Sequence, residues 1–523
     1  MKHHKEEFIE RRIITGLIVS VEFIEKIQRY WNPVFLESIE FRKVASWCLE
    51  YYSKYGKAPD EDIENIYMSK VKSGDLSKAE ASYIEMVLQD LSDEFGRGSH
   101  FNAEYLYDQT ITYFKTQELN NHNERIQDLT NAGDVEEAEK LIKSFHSSLL
   151  NTTTVGLDLS SAEASIRVRK SFNKVLQRVI SYPGVLGAFW NDELVRGAFV
   201  ALLAPEKRGK SFMLMELAVR AYRQKSNVAF FQCGDMTEEQ QLRRMCIHLA
   251  RRSDREKYCN EHYRPVGDCV RNQLDICDRK DRNCDHGIFN IELNEFYREK
   301  PKYVNLETLL EKLEEFPEYQ PCDSLSCHHR KGTVWLKHIP TVEPLDGKSA
   351  QKVWKKFFRK SKKHFKLATY PSAVLTPDEI VKVLNVWEQV DGFVPDVICI
   401  DYADLMEPND SHISEVRHKQ DSVWKGLRGI SQTYHALLIT ATQADADSYR
   451  RERLSRSNYS EDKRKFAHCT AMYGLNQDPL DREKKLGILR LNEIVVRESA
   501  FSSDTEVHVL QDLAAGRAYL ESF

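Results

Sequence analysis

The spacing of apolar residues along the chain changes near Gly197. Before this residue the pattern is helical, since residues such as Phe41, Val44 and Cys48 recur at the spacing of one helix face. After it, short apolar runs alternate with helical stretches, a pattern typical of buried parallel strands joined by helices. The runs cover residues 198–203, 228–231, 397–400, 437–440 and 489–496. The sequence therefore predicts an all-helical amino-terminal part, followed by an α/β sheet with helices on both faces.

The domain organisation follows from length and from breaks in this pattern. At 523 residues the chain is too long for one compact core, and its length suggests about three domains. We expect a helical domain over 1–148, a linker with a helix over 149–181, and an α/β domain over 182–523, with the Ser/Thr-rich stretch 151–161 at the boundary. Residues 254–363 are polar and Cys-rich and interrupt the α/β alternation, which predicts an inserted module. A plain helical bundle without chemistry of its own also accounts for the first domain.

The strongest motif is a phosphate-binding loop between the first apolar run and the next helix. It fits the pattern G-x-x-x-x-G-K-[ST], with Ala204 in place of the first glycine. Backbone N–H groups of such a loop point at phosphate oxygens, and the helix N-terminus adds positive potential. Lys210 would reach the β- and γ-phosphates of ATP, and Ser211 would hold Mg²⁺. The predicted nucleotide-binding residues are Ala204, Pro205, Glu206, Lys207, Arg208, Gly209, Lys210, Ser211 and Phe212.

Three further polar residues end apolar runs of the predicted sheet. Asp401 follows 397–400 and would orient Mg²⁺, as the carboxylate of a Walker B strand does. Asp235 follows 228–231 and would polarise the attacking water, although a turn residue ahead of a helix near Thr237 explains it as well. Gln443 ends the run 437–440 and would sense the γ-phosphate through its amide. With Lys210 and Arg497 (below), these are the predicted catalytic residues.

Taken together, these residues resemble the DnaB family of replicative helicases, which have a RecA-like ATPase domain. The resemblance covers residues 172–253 and 365–523, and more loosely the helical amino-terminal part. It is carried by four motifs in order: Asp235-Met with Glu239-Gln240 and Arg243-Arg; I-D-Y-x-x-L-M at 400–406; Thr442-Gln443; and D-K-R at 462–464 ahead of Gln477-Asp478.

The resemblance implies a homo-hexameric ring that binds ATP between subunits and moves 5′-to-3′ along single-stranded or forked DNA in replication. The helical domain would form a collar that docks a primase or a loader protein. Arg497, after the run 489–496, would be the arginine finger that acts on the neighbouring subunit. Two positions depart from the family: Asp235 stands in place of glutamate, and only the arginine of the lysine-x-arginine finger pair is present. The Cys-rich insert is absent from the common family pattern.

Cysteines are concentrated in the insert, where six of the eleven fall between residues 259 and 327. In a cytosolic protein such a cluster indicates a metal site before it indicates disulfides. Four thiolates would bind a structural Zn²⁺ and stabilise a module with little core. Free structural thiols are the alternative. The candidate ligands are Cys269, Cys277, Cys284, Cys322 and Cys327, with Cys259 and His286 as less favoured ones.

Two basic stretches are candidate DNA contacts. Residues 352–366 combine lysines with aromatic rings, which suits phosphate neutralisation with base stacking. An amphipathic helix with packed rings and solvated lysines explains them equally well. Arg450, Arg451, Arg453 and Arg456 follow the Gln443 run, where the family has a DNA-contacting loop, and a solvated basic loop is their alternative.

Charge and hydropathy bound the remaining possibilities. The formal net charge is −5, so any nucleic-acid binding must depend on local basic patches. No segment has the length of a signal peptide or a membrane span, so the expected location is the cytoplasm, or that of an infected host if the gene is phage-encoded. Besides a helicase, two functions remain open: a RecA-like ATPase that remodels DNA or loads a protein, and a zinc-stabilised DNA-binding scaffold with a decayed nucleotide site.

Overall fold

The computed structural model of the chain forms two compact units. The first contains Met1–Val175 with Trp387–Gly392, and the second contains Leu176–Val386 with Phe393–Phe523. Most of the predicted linker 149–181, including its Ser/Thr-rich stretch, lies outside the described residues. These are 2–28, 30–95, 102–144, 168–169, 172, 177–234, 236–290, 293, 304–324, 327–359, 361–456, 463–497, 501–502 and 504–523.

In the first unit, all regular elements within the described residues up to 144 are helices. Its core consists of apolar side chains such as Ile13, Phe23, Phe41 and Phe114, all of them buried. The helix α3 ends at Gly56, whose φ of 65° is left-handed and therefore favours glycine. The helices are α1 (Lys2–Val19), α2 (Val21–Ile27), α3 (Ile39–Tyr55), α4 (Asp62–Ser73), α5 (Lys78–Phe95), α6 (Ala103–Asn131) and α7 (Val135–Ser144).

A nine-stranded sheet dominates the second unit. Its strand order is β11-β10-β9-β8-β1-β7-β6-β2-β5. The six strands from β8 to β5 run parallel, whereas β9, β10 and β11 extend the sheet antiparallel. The strands are β1 (Phe199–Ala204), β2 (Val228–Cys233), β3 (His262–Cys269), β4 (Gly332–Ile339), β5 (Phe365–Tyr370), β6 (Val397–Asp401), β7 (Leu437–Gln443), β8 (Ala471–Asn476), β9 (Ile488–Val496), β10 (Glu506–Asp512) and β11 (Arg517–Ser522).

The predicted α/β sheet is confirmed, because helices alternate with the parallel strands and every residue of β1, β2 and β6 is buried. Parallel strands place their carboxyl ends at one edge of a sheet, which is where such folds bind ligands. The helices are α8 (Gly184–Trp190), α9 (Lys210–Arg223), α10 (Glu238–Ala250), α11 (Val270–Gln273), α12 (Leu306–Glu315), α13 (Gly347–Phe358), α14 (Pro377–Asp391), α15 (Val416–Thr433) and α16 (Arg482–Lys485). None of the helices in the described ranges has the length and apolar character needed to span a membrane.

The Cys-rich region packs against the antiparallel end of the sheet. Its strands β3 and β4 form a separate antiparallel pair. Buried Trp335 of β4 clusters with Ile488 of β9 and Leu510 of β10. Two glycines allow the close approach: a Cβ on Gly267 would lie 2.3 Å from the Glu521 side chain, and one on Gly332 would lie 2.3 Å from the Phe523 side chain. The region therefore shares a core with the sheet.

Candidate functional site

The loop between β1 and α9 is shaped by two left-handed residues, Lys207 at φ 59° and Gly209 at φ 85°. An added Cβ on Gly209 would meet nothing within 4 Å, so the backbone angle, and not crowding, favours glycine there. Helix α9 begins directly after it, at Lys210. The helix N-terminus and the loop N–H groups thus lie where the sequence predicted a phosphate cradle.

Lys210 and Ser211 are the first two residues of α9, and both make hydrogen bonds at the edge of the sheet. The Nζ atom of Lys210 donates to the carbonyl oxygens of Ala204 (2.8 Å) and Pro205 (3.1 Å). The Ser211 hydroxyl donates to Oδ1 of Asp401 over 2.9 Å. Asp401 ends β6 and is 1% exposed. A hydroxyl and a carboxylate side by side, next to a phosphate-binding loop, are the oxygen ligands that Mg²⁺ takes in such sites, so these residues fit the ion.

Gln443 lies beside the phosphate-binding loop because β1 and β7 are neighbouring parallel strands. Ala204 and Gln443 are paired residues in the register of these strands. On the other side of β6, Gln232 of β2 donates its amide N–H to the backbone oxygen of Asp401 (3.2 Å). Three of the predicted site residues, Lys210, Asp401 and Gln443, therefore meet at one edge. A further predicted site residue, Asp235, lies outside the described residues, two positions beyond the end of β2.

A buried ion pair behind Gln443 escaped the sequence analysis. Lys465 is 0% exposed, and its Nζ donates to Oδ1 of Asp404 (2.7 Å) and to the Thr442 hydroxyl (3.2 Å). The other carboxylate oxygen of Asp404 accepts the Thr442 hydroxyl (2.8 Å) and the backbone N–H of Gln443 (2.9 Å). The ammonium group also lies 5.5 Å from the ring centroid of Trp424. Asp404 thus holds the backbone that carries Gln443, and Lys465 balances its charge.

Arg244 on α10 is a second residue that the sequence analysis did not single out. Its guanidinium lies 5.3 Å from the ring centroid of Phe212. Burial lowers the pKa of Arg244, and the negative charge of Asp401 opposes that shift, which brings this cation into the electrostatic surroundings of the site. The neighbouring Arg243 instead forms an ion pair with Asp254. The two arginines are adjacent on α10 and differ only in the side of the helix that they occupy. The sequence Arg-Arg alone does not reveal which of them lies near Phe212.

Hydrogen bonds from side chains tie the phosphate-binding loop to distant segments. The guanidinium of Arg208 donates to the side-chain oxygen of Gln477 (3.0 Å), which lies just beyond β8. The Tyr449 hydroxyl donates to the backbone oxygen of Glu206 (3.1 Å). Tyr449 belongs to the short 3-10 helix Ala446–Arg450, at the start of the arginine-rich stretch. This stretch is therefore bonded directly to the loop.

The four arginines of that stretch divide into two pairs. Arg453 donates to the backbone oxygen of Thr505 (3.0 Å) and Arg456 to that of Ile494 (3.0 Å), so both bind the antiparallel strands or their flanks. Arg450 and Arg451 are exposed, and so is Arg456. The DNA-contacting role stays a prediction for all four arginines.

Arg497 directly follows β9 and is exposed. Its guanidinium donates to the backbone oxygens of Ala467 (2.5 Å) and Phe466 (3.5 Å). Both acceptors belong to the 3-10 helix Lys463–Ala467, which also contains Lys465. The same short helix is thus bonded to Arg497 on one side and to the Asp404 pair on the other.

The predicted zinc site is not assembled. The described residues, which include all five predicted cysteine ligands, contain no group of three or more His, Cys, Asp or Glu side chains placed to hold a metal ion. All eleven cysteines are free thiols. Two of the candidate ligands, Cys284 and His286, lie 3.4 Å apart, measured from Sγ to Nδ1.

A buried carboxylate organises the cysteine-bearing loops instead. Oδ1 of Asp268 accepts the backbone N–H groups of Cys269 and Cys322, each over 2.7 Å. Its Oδ2 accepts the Tyr319 hydroxyl (2.8 Å) and the Gln273 amide (3.0 Å). Burial is the main cause of a raised pKa at Asp268. These hydrogen bonds cross-link the cysteine-bearing loops, which is the role that the cysteine pattern predicted for a zinc ion. Cysteine spacing alone does not reveal that a carboxylate has this role.

The basic stretch 352–366 forms most of helix α13 and leads into β5. Phe357 and Phe358 pack against the ring of Tyr222, with centroids 5.2 and 5.1 Å apart. These rings are therefore half-buried against the domain, and this packing favours the amphipathic helix over base stacking.

Comparisons with known proteins find likeness in structure alone. No family model and no curated protein matches the sequence. The chain is similar in structure to a DnaB-like replicative helicase. The structure of that helicase was described together with its interactions with primase. The two sequences are 12% identical, the TM-score is 0.41, and the match covers 98% of this chain and 100% of the other. A second solved structure, that of an ATPase domain, is also similar, at 12% identity and a TM-score of 0.42, over 70% of this chain and 100% of that domain. Both likenesses are remote, so the evidence for a function is the geometry of the site itself.

Proposed function

We propose that the chain is an ATP hydrolase that acts as a DNA helicase or translocase. The observation that carries the proposal is the 2.9 Å hydrogen bond between Ser211 Oγ and Asp401 Oδ1, directly behind a phosphate-binding loop with a left-handed Gly209. A residue at the start of α9 and one at the end of β6 thereby form one oxygen pair. A turn with a chance Gly-Lys-Ser sequence has no need of a carboxylate at this position.

In the proposed site, Ser211 and Asp401 hold Mg²⁺, which when bound neutralises charge on the β- and γ-phosphate oxygens. Lys210 binds the same phosphates through its ammonium group. Gln443 senses the γ-phosphate from the neighbouring strand, on a backbone that Asp404 fixes. Asp235 polarises the attacking water.

The proposed assembly is a homo-hexameric ring in which Arg497 completes the site of the adjacent subunit. Its exposure after β9 supports this, since a finger that acts in trans must leave its own subunit. The hydrogen bond to Ala467 supports a further element of the proposal: the helix Lys463–Ala467 joins the finger to the pair that fixes Gln443. A hydrolysis event at one interface then changes the position of the finger at the next.

The proposed DNA contacts are Arg450 and Arg451, which are exposed next to Tyr449. Because Tyr449 is bonded to the phosphate-binding loop, movement of that loop reaches these cations directly. A 5′-to-3′ direction and a collar of residues 1–148 that docks a primase or loader complete the proposal by resemblance to the DnaB family.

Two measurements test this function. Steady-state hydrolysis of ATP with and without single-stranded DNA should show stimulation by the DNA. Strand separation on a forked duplex distinguishes unwinding from the rival function of remodelling or loading, which predicts stimulated hydrolysis without separated strands. Absence of any hydrolysis would favour a scaffold with a decayed nucleotide site.

Zinc remains a prediction of the sequence alone. The positions of the five candidate cysteines, Cys269, Cys277, Cys284, Cys322 and Cys327, give no support to a four-thiolate site. Elemental analysis of the purified protein decides the matter: about one zinc per chain would support the ion, whereas a metal content near zero would leave the Asp268 network as the organiser of this region.

A further inference from the structure

Helix α13 displays a stripe of exposed cations. Lys348, Lys352, Lys355 and Arg359 follow one another at intervals of four, three and four residues, and all are exposed. At 100° per residue these positions lie within about 60° of one another around the helix axis. Lys356, also exposed, borders them. The stripe is therefore a narrow line of positive charge along one side of the helix.

The opposite side of α13 is fixed by packing. Val353, Trp354, Phe357 and Phe358 contact a buried cluster around Met215 of α9 and Met245 of α10. These rings hold the helix against the domain, so the cationic stripe faces away from it. Its geometry depends on the core and not on a mobile loop.

The stripe lacks acidic partners. Residues 347–363 contain no Asp or Glu, although the whole chain carries a net charge of −5. The acidic residue next to the helix in sequence, Asp346, caps it by accepting the backbone N–H groups of Lys348 and Ser349. None of the five cations forms an ion pair within the part of the chain that the structure describes. Protein surfaces usually intersperse the two signs of charge, because a line of like charges is self-repelling without a counterpart.

We propose that the α13 stripe binds the phosphate backbone of duplex DNA, as a contact made by residues different from Arg450 and Arg451. This proposal rests on one part of the proposed function, namely that the protein binds DNA. The stripe is about 16 Å long, a span over which duplex DNA carries one phosphate charge per about 1.7 Å. A duplex fits better than a single strand, because Phe357 and Phe358, which would stack on free bases, already pack against Tyr222 on the side of the helix away from the stripe. A duplex keeps its bases stacked and offers its phosphates, and contacts with phosphates alone are independent of sequence.

The test is the salt dependence of DNA binding by the full-length protein. The variant is Lys348→Gln, Lys352→Gln and Lys355→Gln together. The matched control is Lys57→Gln, Lys72→Gln and Lys78→Gln, which removes the same charge from exposed lysines of the first unit. Fluorescence anisotropy with a labelled blunt duplex and with a labelled single strand gives the slope of log K against log salt for each protein.

Each phosphate contact contributes about 0.9 to that slope with duplex DNA. We expect the α13 variant to lose about 2 to 3 units of slope with the duplex, with single-strand binding and single-strand-stimulated ATP hydrolysis unchanged. The control variant should match the parent protein on both DNAs. Equal duplex slopes for the two variants would overturn the proposal, as would a loss confined to the single strand. An acidic protein as the true partner would also leave both slopes unchanged. Failure of the proposed function itself would appear separately, as ATP hydrolysis that single-stranded DNA does not stimulate in the parent protein.

Discussion

The ammonium nitrogen of Lys465 lies 2.7 Å from Oδ1 of Asp404, and the lysine is fully buried. Asp404 follows the Mg²⁺-binding candidate Asp401 by three residues and accepts the backbone N–H of Gln443. The pair therefore connects the two strand ends that flank the proposed γ-phosphate position.

We predict that Lys465→Met lowers the free energy of unfolding by about 3–5 kcal/mol, because it leaves the Asp404 carboxylate, whose side chain is only 11% exposed, without its cation. ATP turnover should fall while KM for ATP changes little, since Gln443 is displaced and the phosphate-binding loop is not. Denaturant unfolding and steady-state kinetics measure the two effects. Asp404→Asn combined with Lys465→Met should recover part of the stability. If the double variant loses the sum of both single losses, the two side chains do not act as a pair.

Asp401→Asn should raise the Mg²⁺ concentration needed for half-maximal ATP hydrolysis and lower the maximal rate. The amide keeps the shape and the Ser211 contact but removes the charge that attracts the ion. Magnesium titrations of the hydrolysis rate measure the shift. Asp404→Asn is the matched control. It neutralises a carboxylate three positions away, which binds Lys465 and does not contact Ser211. Unchanged magnesium dependence in Asp401→Asn would contradict the assigned role.

His248 predicts a loss of stability in acid. Burial is the main cause that lowers the pKa of His248 to about 4, from an ordinary value of 6.5. His248 lies in the last turn of α10, and its ring donates through Nδ1 to the backbone oxygen of Gly516 (2.9 Å). Between pH 6.5 and 4 the unfolded chain binds a proton that the folded chain excludes, so stability is full above pH 6.5 and is lost as pH falls towards 4.

The expected contribution of His248 to that loss is about 3 kcal/mol. Thermal melts from pH 7 to pH 4 should show a smaller fall of Tm for His248→Gln than for the parent protein. His412→Gln, at an exposed position, should fall as the parent does. Burial also lowers the pKa of His508 to about 4, so His508 accounts for part of the fall of Tm that remains in His248→Gln. A pH dependence identical in His248→Gln and the parent would contradict the account.

Arg497→Ala should fold, bind ATP and assemble, yet hydrolyse poorly. An arginine that stabilises the transferring phosphoryl group in trans contributes a factor of about 10³ or more to turnover. Mixing Arg497→Ala with Lys210→Ala chains should restore some activity, because certain interfaces then combine an intact loop with an intact finger. Activity measured across mixing ratios, with subunit exchange followed by native mass spectrometry, tests this. No rescue in exchanging assemblies would place Arg497 outside the site of the neighbouring subunit.

Sequence patterns predict the parts of this protein whose structure depends on residues close together in the sequence. The loop from Ala204 to Ser211 and the strand ending at Asp401 follow from apolar runs and a local motif, and the structure brings them together. The Asp404–Lys465 pair joins residues 61 positions apart, and no periodicity reports such a pairing. The zinc prediction was unsupported for a related reason: cysteine spacing does not reveal that Asp268 already cross-links the loops of Cys269 and Cys322. In the basic stretch, composition could not decide whether Phe357 and Phe358 face bases or the core.

The most direct test of the central claim is ATP hydrolysis with and without single-stranded DNA for the parent protein, Lys210→Ala and Lys425→Ala. Lys425 is an exposed lysine of helix α15, outside the phosphate-binding loop, so its variant removes an equal charge without touching the site. We predict DNA-stimulated hydrolysis in the parent and in Lys425→Ala, and a loss of about 100-fold or more in Lys210→Ala, with all three proteins equally folded by circular dichroism. Turnover near the parent level in Lys210→Ala, or hydrolysis that DNA never stimulates, would contradict an ATP-driven DNA motor.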